Sequence, residues 1–174
     1  MRWGSEVIDP FTELSMTLAN PDVALPDFLK AVCLAVRKAI PNADRVSLWQ
    51  FDEGNESITC LALFNTEGFS QPSNLVYQRS DYPDYFDAIL EKLSILALDA
   101  RNHPDTSCFA EGYFEEESVH SMMDYVFDNA FSPFGIICCE STGQCALWGD
   151  EEVNELKRIA RIVSIFSNIR HLSN

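Results

Sequence analysis

"SPFGIICCESTGQCALWGDEEV", residues 132–153, places a Pro-Phe-Gly turn ahead of an apolar run with two adjacent cysteines, then a third cysteine, a single Trp148 and a burst of acid that opens a long helix. Either this is a redox or metal centre, or it is the last strand and helix of a domain whose site lies elsewhere. Side chains alternate across a β-strand, so Cys138 and Cys139 point to opposite faces and cannot ligate one ion together without distortion. The chain has neither a CxxC nor a pair of histidines at metal spacing. Buried thiols acting as small apolar residues are therefore expected at both positions. Cys145, in a glycine-containing turn, is the cysteine expected to be most exposed, and no cation stands near it in sequence to activate it.

Composition bounds the rest. The 174 residues are 47% hydrophobic and 11% aromatic, enough for one sizeable core and one domain. The excess of 27 acidic over 12 basic residues repels phosphate backbones and anionic lipid, so neither nucleic acid nor membrane is an expected partner. Apolar runs are too short to span a bilayer and no signal-peptide pattern opens the chain, which reads as cytoplasmic with its six cysteines reduced.

Outward from the opening stretch, the pattern predicts helices at both ends and strands between. Residues 11–19 suit a short helix, and Pro26 opens a second over 27–40. "DRVSLWQF" (44–51) and "SITCLALF" (57–64), joined by the turn-forming "DEGNE", read as a hairpin. "NTEGFSQPSN" (65–74) reads as a surface loop, followed by a short strand near 75–79. A helix starts at "YPDYFDAILEK" with Asp81 as its expected N-cap, and "SILALD" (94–99) is the next strand. A loop and a short acidic helix lead to "SMMDYVF" and "FGIICCE", strands joined through "DNAFSP", and the last helix runs over about 150–170.

The terminal helices carry more apolar surface than one sheet covers. In the last helix Val153, Leu156, Ile159, Ala160, Ile162, Val163, Ile165, Phe166 and Ile169 spread over roughly two-thirds of the circumference. The 27–40 helix has a similar excess. The two are expected to pack together on one sheet face, with the surplus covered either by a second chain or by more of this one. A surplus of ~400 Å² at ~25 cal/mol/Å² is on the order of 10 kcal/mol gross, sufficient for a homodimer.

The chain resembles the GAF domains of bacterial signalling proteins from about residue 27 to 170. The resemblance is carried by "ADRVSLWQFDEGNESITCLALF", "YPDYFDAILEKLSILALDARNHPDTSCFAEGYF" and "SMMDYVFDNAFSPFGIICCESTGQCALWGDEEVNELKRIA". It rests on four pieces in order: Ser-hydrophobic-Trp ending a strand, Tyr-Pro-x-Tyr-Phe opening a helix, Asp-Ala after a strand, and Gly-hydrophobic-hydrophobic-Cys-x-Glu with a Trp before the last helix. It implies an α+β fold: a GAF-like central antiparallel sheet with the N- and C-terminal helices on one face and a small pocket on the other. Residues 1–26 are then a helical extension and 27–174 a sensory domain. Four positions depart from the family pattern, namely Asp105, Val126, Ser141 and Ala146, where relatives tend to carry Arg, Pro, His and Arg. The loss of basic groups argues against an anionic ligand held by them.

On "RVSLWQF", Val46 and Leu48 face one way and Ser47, Trp49 and Phe51 the other. By resemblance the second set looks into the pocket. Trp49, Tyr77, Tyr82, Tyr85, Phe86, Tyr113 and Tyr125 are suited to line it, with Ser47 and, from the Asp-Ala piece, Asp99. The alternative is that the rings fill a second core. Some GAF domains attach a bilin through a cysteine in the region of Cys108, usually followed by His or Tyr. Phe109 follows here, so a packed or half-exposed thiol is expected and no cofactor is required. His103, His120 and His171 have no catalytic spacing, and the run Glu115-Glu116-Glu117 reads as a solvated helix face. No metal or nucleotide motif is present.

Three functions fit. The first is a non-catalytic sensory module that binds a small molecule or partner and acts through its terminal helices on an output domain such as a diguanylate cyclase or histidine kinase. The second is a thiol enzyme of the same fold, such as a free methionine-R-sulfoxide reductase, and the third is a ligand-free dimerisation module.

Overall fold

The computed structural model describes residues 8–169; His171 and the side chain of Ile169 lie outside them. Helix α1 (Pro10–Ala19) starts where the Asp9 carboxylate accepts hydrogen bonds from the backbone N–H groups of Phe11 and Thr12, at 3.0 and 3.1 Å. Helix α2 (Leu25–Ala39) carries Pro26 in its first turn and stops ahead of Pro41. The hairpin of β1 (Arg45–Phe51) and β2 (Ser57–Asn65) turns where Asp52 Oδ1 accepts from the N–H groups of Glu56 and Ser57 and Asn55 takes a left-handed φ of 56°.

Part of the expected 65–74 loop pairs with the outer edge of β2 as β3 (Gly68–Ser70), and β4 (Val76–Gln78) pairs further along that edge. Helix α3 (Pro83–Lys92) is capped one residue later than Asp81, at Tyr82, with no side-chain cap bond, since Pro83 already fixes its first turn. Strand β5 (Ser94–Ala97) follows. The expected acidic helix is instead a 3₁₀ turn at Ser107–Phe109 and an irregular turn at Ala110–Phe114, broken where Gly112 takes φ 99°. Strands β6 (Val119–Asn129) and β7 (Ser132–Thr142) are longer than their apolar cores and meet in a two-residue turn, Ala130–Phe131. Helix α4 (Asp150–Ile169) closes the chain with three acids in its first turn, and Glu152 accepts from the Gly149 N–H at 2.8 Å.

The sheet is antiparallel throughout, in the order β3-β2-β1-β7-β6-β5. It divides the interior in two. On one face Val46, Leu48, Met123, Ile137 and Cys139 pack under α2 and α4, while on the other Trp49, Phe51, Met122, Val126 and Cys138 pack under α3 and the irregular turns. The adjacent cysteines part to opposite cores as their strand parity requires. Trp148 seals the helix side, donating its indole N–H to the Pro41 carbonyl at 3.0 Å.

Helix α1 covers part of the surplus apolar surface of the other two helices. It buries Phe11, Leu14 and Leu18 among them, and Arg158 of α4 lies over the Phe11 ring at 3.8 Å. Met16 and Ile165 remain exposed.

Gly135 lies between β1 and β6 in the middle of the sheet, opposite Gln50 and Phe127. A Cβ there would overlap the Trp49 carbonyl oxygen and the Phe127 ring. Gly135→Ala is therefore expected to cost about 3 kcal/mol, read as a lower urea midpoint at unchanged slope. A midpoint equal to that of the parent protein would contradict this packing.

Candidate functional site

The pocket face is built by strand register. Antiparallel pairing aligns Arg45 of β1 with Glu140 of β7, and Glu140 with Met122 of β6. One row along, Ser47 meets Cys138 and Cys138 meets Asp124. Two carboxylates thus stand on neighbouring strands with their side chains on a face otherwise apolar. Both residues are 1% exposed.

Glu140 is fully engaged. Its Oε2 lies 3.0 Å from Arg45 Nε, and the Tyr113 hydroxyl sits 2.8 and 2.7 Å from its two oxygens. Arg45 also reaches Glu117 at 3.0 Å, so one member of the acidic run expected to be solvated is tied to the site. Burial pushes Glu140 up, to about 7, against the opposing pull of Arg45 and Tyr113.

Asp124 has no cation. Its Oδ2 accepts the Tyr85 hydroxyl at 2.6 Å, while its Oδ1 is buried with no hydrogen-bond partner. Burial raises it from an ordinary 3.8 to about 6, opposed by the Cys138 thiol and the Tyr85 hydroxyl. Such an orphaned carboxylate oxygen is costly and rare in a folded protein.

Aromatic rings enclose the two acids. Trp49 and Tyr77 stack with centroids 5.2 Å apart, and Tyr85 and Tyr113 close the sides. Phe109, carried by the 3₁₀ turn, forms the roof and stacks on Tyr82 at 4.4 Å. The roof is pinned at both ends: Thr106 donates to the Ala100 carbonyl at 2.6 Å, and Arg101 donates to the carbonyls of Phe114 and Val119 at 3.0 and 2.9 Å. Gly112 is its one residue with a positive φ. The void left inside is about 20 Å³, room for roughly one water. No Lys, Arg or His lines it.

Of the residues expected from sequence, Trp49, Tyr77, Tyr85 and Tyr113 border this cavity. Ser47 is buried beside it, accepting the Trp49 indole N–H at 2.8 Å. Tyr82 and Phe86 back the rings without reaching the void. Two positions lie elsewhere. Tyr125 pairs with Ile137 and packs against the helix-side core, because its neighbour Asp124 takes the pocket side and parity forbids both. Asp99 is exposed and accepts from the Asn102 side chain at 2.8 Å. The sequence reading missed Asp124, Glu140 and Phe109. A lone acid inside "SMMDYVF" was the available signal for the first of these.

Among solved structures, the chain superposes on the GAF domain of the Acinetobacter phosphoenolpyruvate-protein phosphotransferase with a TM-score of 0.73 over 99% of both chains, at 16% identity. The chain has the fold of a GAF domain. It also matches the chromophore-binding domain of the Stigmatella aurantiaca bacteriophytochrome (TM-score 0.70, 14% identity, 92% of this chain), spanning 59% of that chain. A third match is the free methionine-R-sulfoxide reductase of Neisseria meningitidis, solved with its substrate (TM-score 0.66, 12% identity, 90% of this chain and 84% of that one). No protein-family model and no curated protein matches the sequence.

The four positions that depart from the GAF sequence pattern do not line the cavity. Asp105 pairs with Lys92, Ser141 donates to the Gln144 carbonyl at 3.0 Å, Ala146 is buried on the helix side, and Val126 packs in the pocket-side core. The charge of this GAF-fold cavity comes instead from Asp124 and Glu140. Among the described residues no group of three or more His, Cys, Asp or Glu is placed to hold a metal, and no helix is long and apolar enough to cross a membrane.

The raised acids set a pH dependence. Asp124 binds its proton more tightly folded than unfolded, so its contribution to stability is present below 3.8 and is lost as pH rises through about 6. Glu140 acts in the same direction between 4.5 and about 7. Tyr85, from α3, and Cys138 and Glu140, from β7, are the titratable groups that act on Asp124. Stability to urea is expected to fall between about pH 4 and about pH 7, and Asp124→Asn to flatten that fall and gain about 1–2 kcal/mol at the upper end. An equally steep fall in the variant would show that Asp124 is not the source.

Proposed function

We propose that this chain is a non-catalytic sensory or regulatory domain: a small molecule enters the aromatic cavity, and occupancy biases the layer formed by α1, α2 and α4. That layer passes the change to an output domain such as a diguanylate cyclase or histidine kinase in the same longer protein. The observation that carries this reading is the orphaned Asp124 oxygen inside a ring-lined void, an acceptor in place before any donor. A ligand-free dimerisation module gives that acceptor no purpose.

The route to the helices is short. Cys138 and Glu140 on the pocket face alternate along β7 with Ile137 and Cys139 on the helix face. On β6, the Asp128 N–H donates to Ser164 at 3.0 Å and its carbonyl accepts from Ser167 at 3.2 Å, so the strand that carries Asp124 is clamped to α4. A ligand with different affinity for two strand positions would shift α4 with them.

The reductase reading is weaker on chemical grounds. Cys138 borders the cavity, but burial together with Asp124 and Glu140 pushes its thiol well above its ordinary value, whereas nucleophilic thiols are held low. Cys108 is half-buried, and burial also pushes its thiol up. A bilin on Cys108 would find only the 20 Å³ void beneath it.

Ligand binding is tested by thermal scans against a library of small metabolites. A ligand at a hundred times its Kd should raise Tm by roughly 5–10 °C, and Trp49→Ala should remove the rise while unliganded Tm stays measurable. Stabilisation that survives in the variant would place the site elsewhere.

The homodimer is proposed through the α1–α4 groove, where exposed Met16 and Ile165 flank Phe11 and Ile162. The protein should elute with the mass of a dimer by light scattering, and Ile165→Glu should give the monomer. A monomeric parent, or an Ile165→Glu protein that stays dimeric, would contradict this interface.

A further inference from the structure

The chemistry of the cavity narrows the class of its ligand, an inference that rests on the sensory reading above. Three features converge. Asp124 Oδ1 is buried without a hydrogen-bond partner, and the groups that meet the carboxylate, the Tyr85 hydroxyl on its other oxygen and the neighbouring Cys138 thiol, are both neutral. Glu140, the second acid, is already held by Arg45 and Tyr113, and Arg45 itself is divided among Glu140, Glu117 and Tyr113. The cavity therefore lacks a free positive group and holds one unanswered negative one. Around that group stand the faces and edges of five rings, those of Trp49, Tyr77, Tyr85, Tyr113 and the roof residue Phe109, whose quadrupoles attract cations.

An anionic ligand would meet two carboxylates and no cationic lining residue. A neutral apolar ligand would leave Asp124 Oδ1 as orphaned as before. A cation with N–H donors answers both the missing bond and the missing charge.

We propose that this cavity receives the head group of a primary alkylammonium ion, with Asp124 as its counter-ion and Trp49, Tyr77, Tyr85 and Tyr113 as the surrounding box. The void of about 20 Å³ matches an ammonium head, which is close to water in size. The alkyl tail requires the roof over Ala110–Phe114 to lift. Gly112 is the point where it can do so, and the Tyr113–Glu140–Arg45 bonds are what must loosen. Occupancy thereby acts on β1 and β7 at once, the two central strands of the sheet.

The test uses the protein labelled with ¹³C at its methionine methyls, Met122 being a cavity-lining residue assignable through Met122→Leu. It is titrated at about pH 8, where Asp124 is ionised, with n-butylammonium chloride, n-butanol and sodium butyrate at equal ionic strength. The Met122 signal should shift saturably with n-butylammonium, about tenfold more weakly with n-butanol and not at all with butyrate. Asp124→Asn, which keeps the shape and removes the charge, should weaken n-butylammonium about tenfold, equivalent to roughly 1.4 kcal/mol. Equal affinity for the alcohol, or for the Asp124→Asn protein, would overturn the cationic ligand and leave a small-molecule cavity standing. No saturable response to any of the three probes would overturn both this assignment and the use of the cavity as a small-molecule site.

Discussion

Two carboxylates held away from water within one apolar chamber set the terms for the rest of this molecule. Burying a charge is unfavourable unless it is paired, and the fold treats its two acids differently. Glu140 is met by Arg45 directly across the strand pair and by Tyr113 from the roof, so the ion pair also fastens the roof to the sheet. Asp124 is given one hydroxyl and a neighbouring thiol, and no cation. The asymmetry leaves Asp124 Oδ1 as the one buried side-chain polar atom without a partner among the described residues, and it lies in the cavity, away from the surface.

The sheet connects the two cores as well as separating them. Because side chains alternate, the strands that present Asp124, Cys138 and Glu140 to the cavity present Met123, Ile137 and Cys139 to the helices. The clamp from Asp128 to Ser164 and Ser167 makes α4 follow β6 through hydrogen bonds as well as packing. Close-packed layers of this kind hold discrete arrangements more readily than a continuum, which is what a switch between two helix positions requires. Helix α1 enters the same layer, and its contact with α4 borders the groove that holds Met16 and Ile165.

Much of this was legible in the residues. The turn chemistry of Asp52–Asn55, the proline at the start of α2 and the broad apolar faces of α2 and α4 fixed a hairpin and a helix layer before any coordinates. The parity of "RVSLWQF" separated Ser47 and Trp49 from Val46 and Leu48, and the resemblance to GAF domains assigned the first pair to the cavity side, where Trp49 lies. In "SMMDYVF" apolar residues occupy both parities, so alternation gives no answer, and Tyr125 stands in the expected set only as an aromatic residue. Register was beyond reach too: that Arg45 faces Glu140 depends on the pairing of strands some hundred residues apart, which no local pattern encodes. The rings were expected either to line a pocket or to fill a core, and they come close to doing both, leaving space for one water.

Asp124 is a carboxylate buried in a largely apolar chamber with one oxygen unanswered. A carboxyl-detected ¹³C NMR titration of the unliganded protein, with the Asp124 signal assigned by its loss in Asp124→Asn, reads this directly. A midpoint displaced upward to about 6 is the expected result. A midpoint at or below the ordinary 3.8 would mean that water or a cation already reaches the group, and the account of the cavity would be wrong.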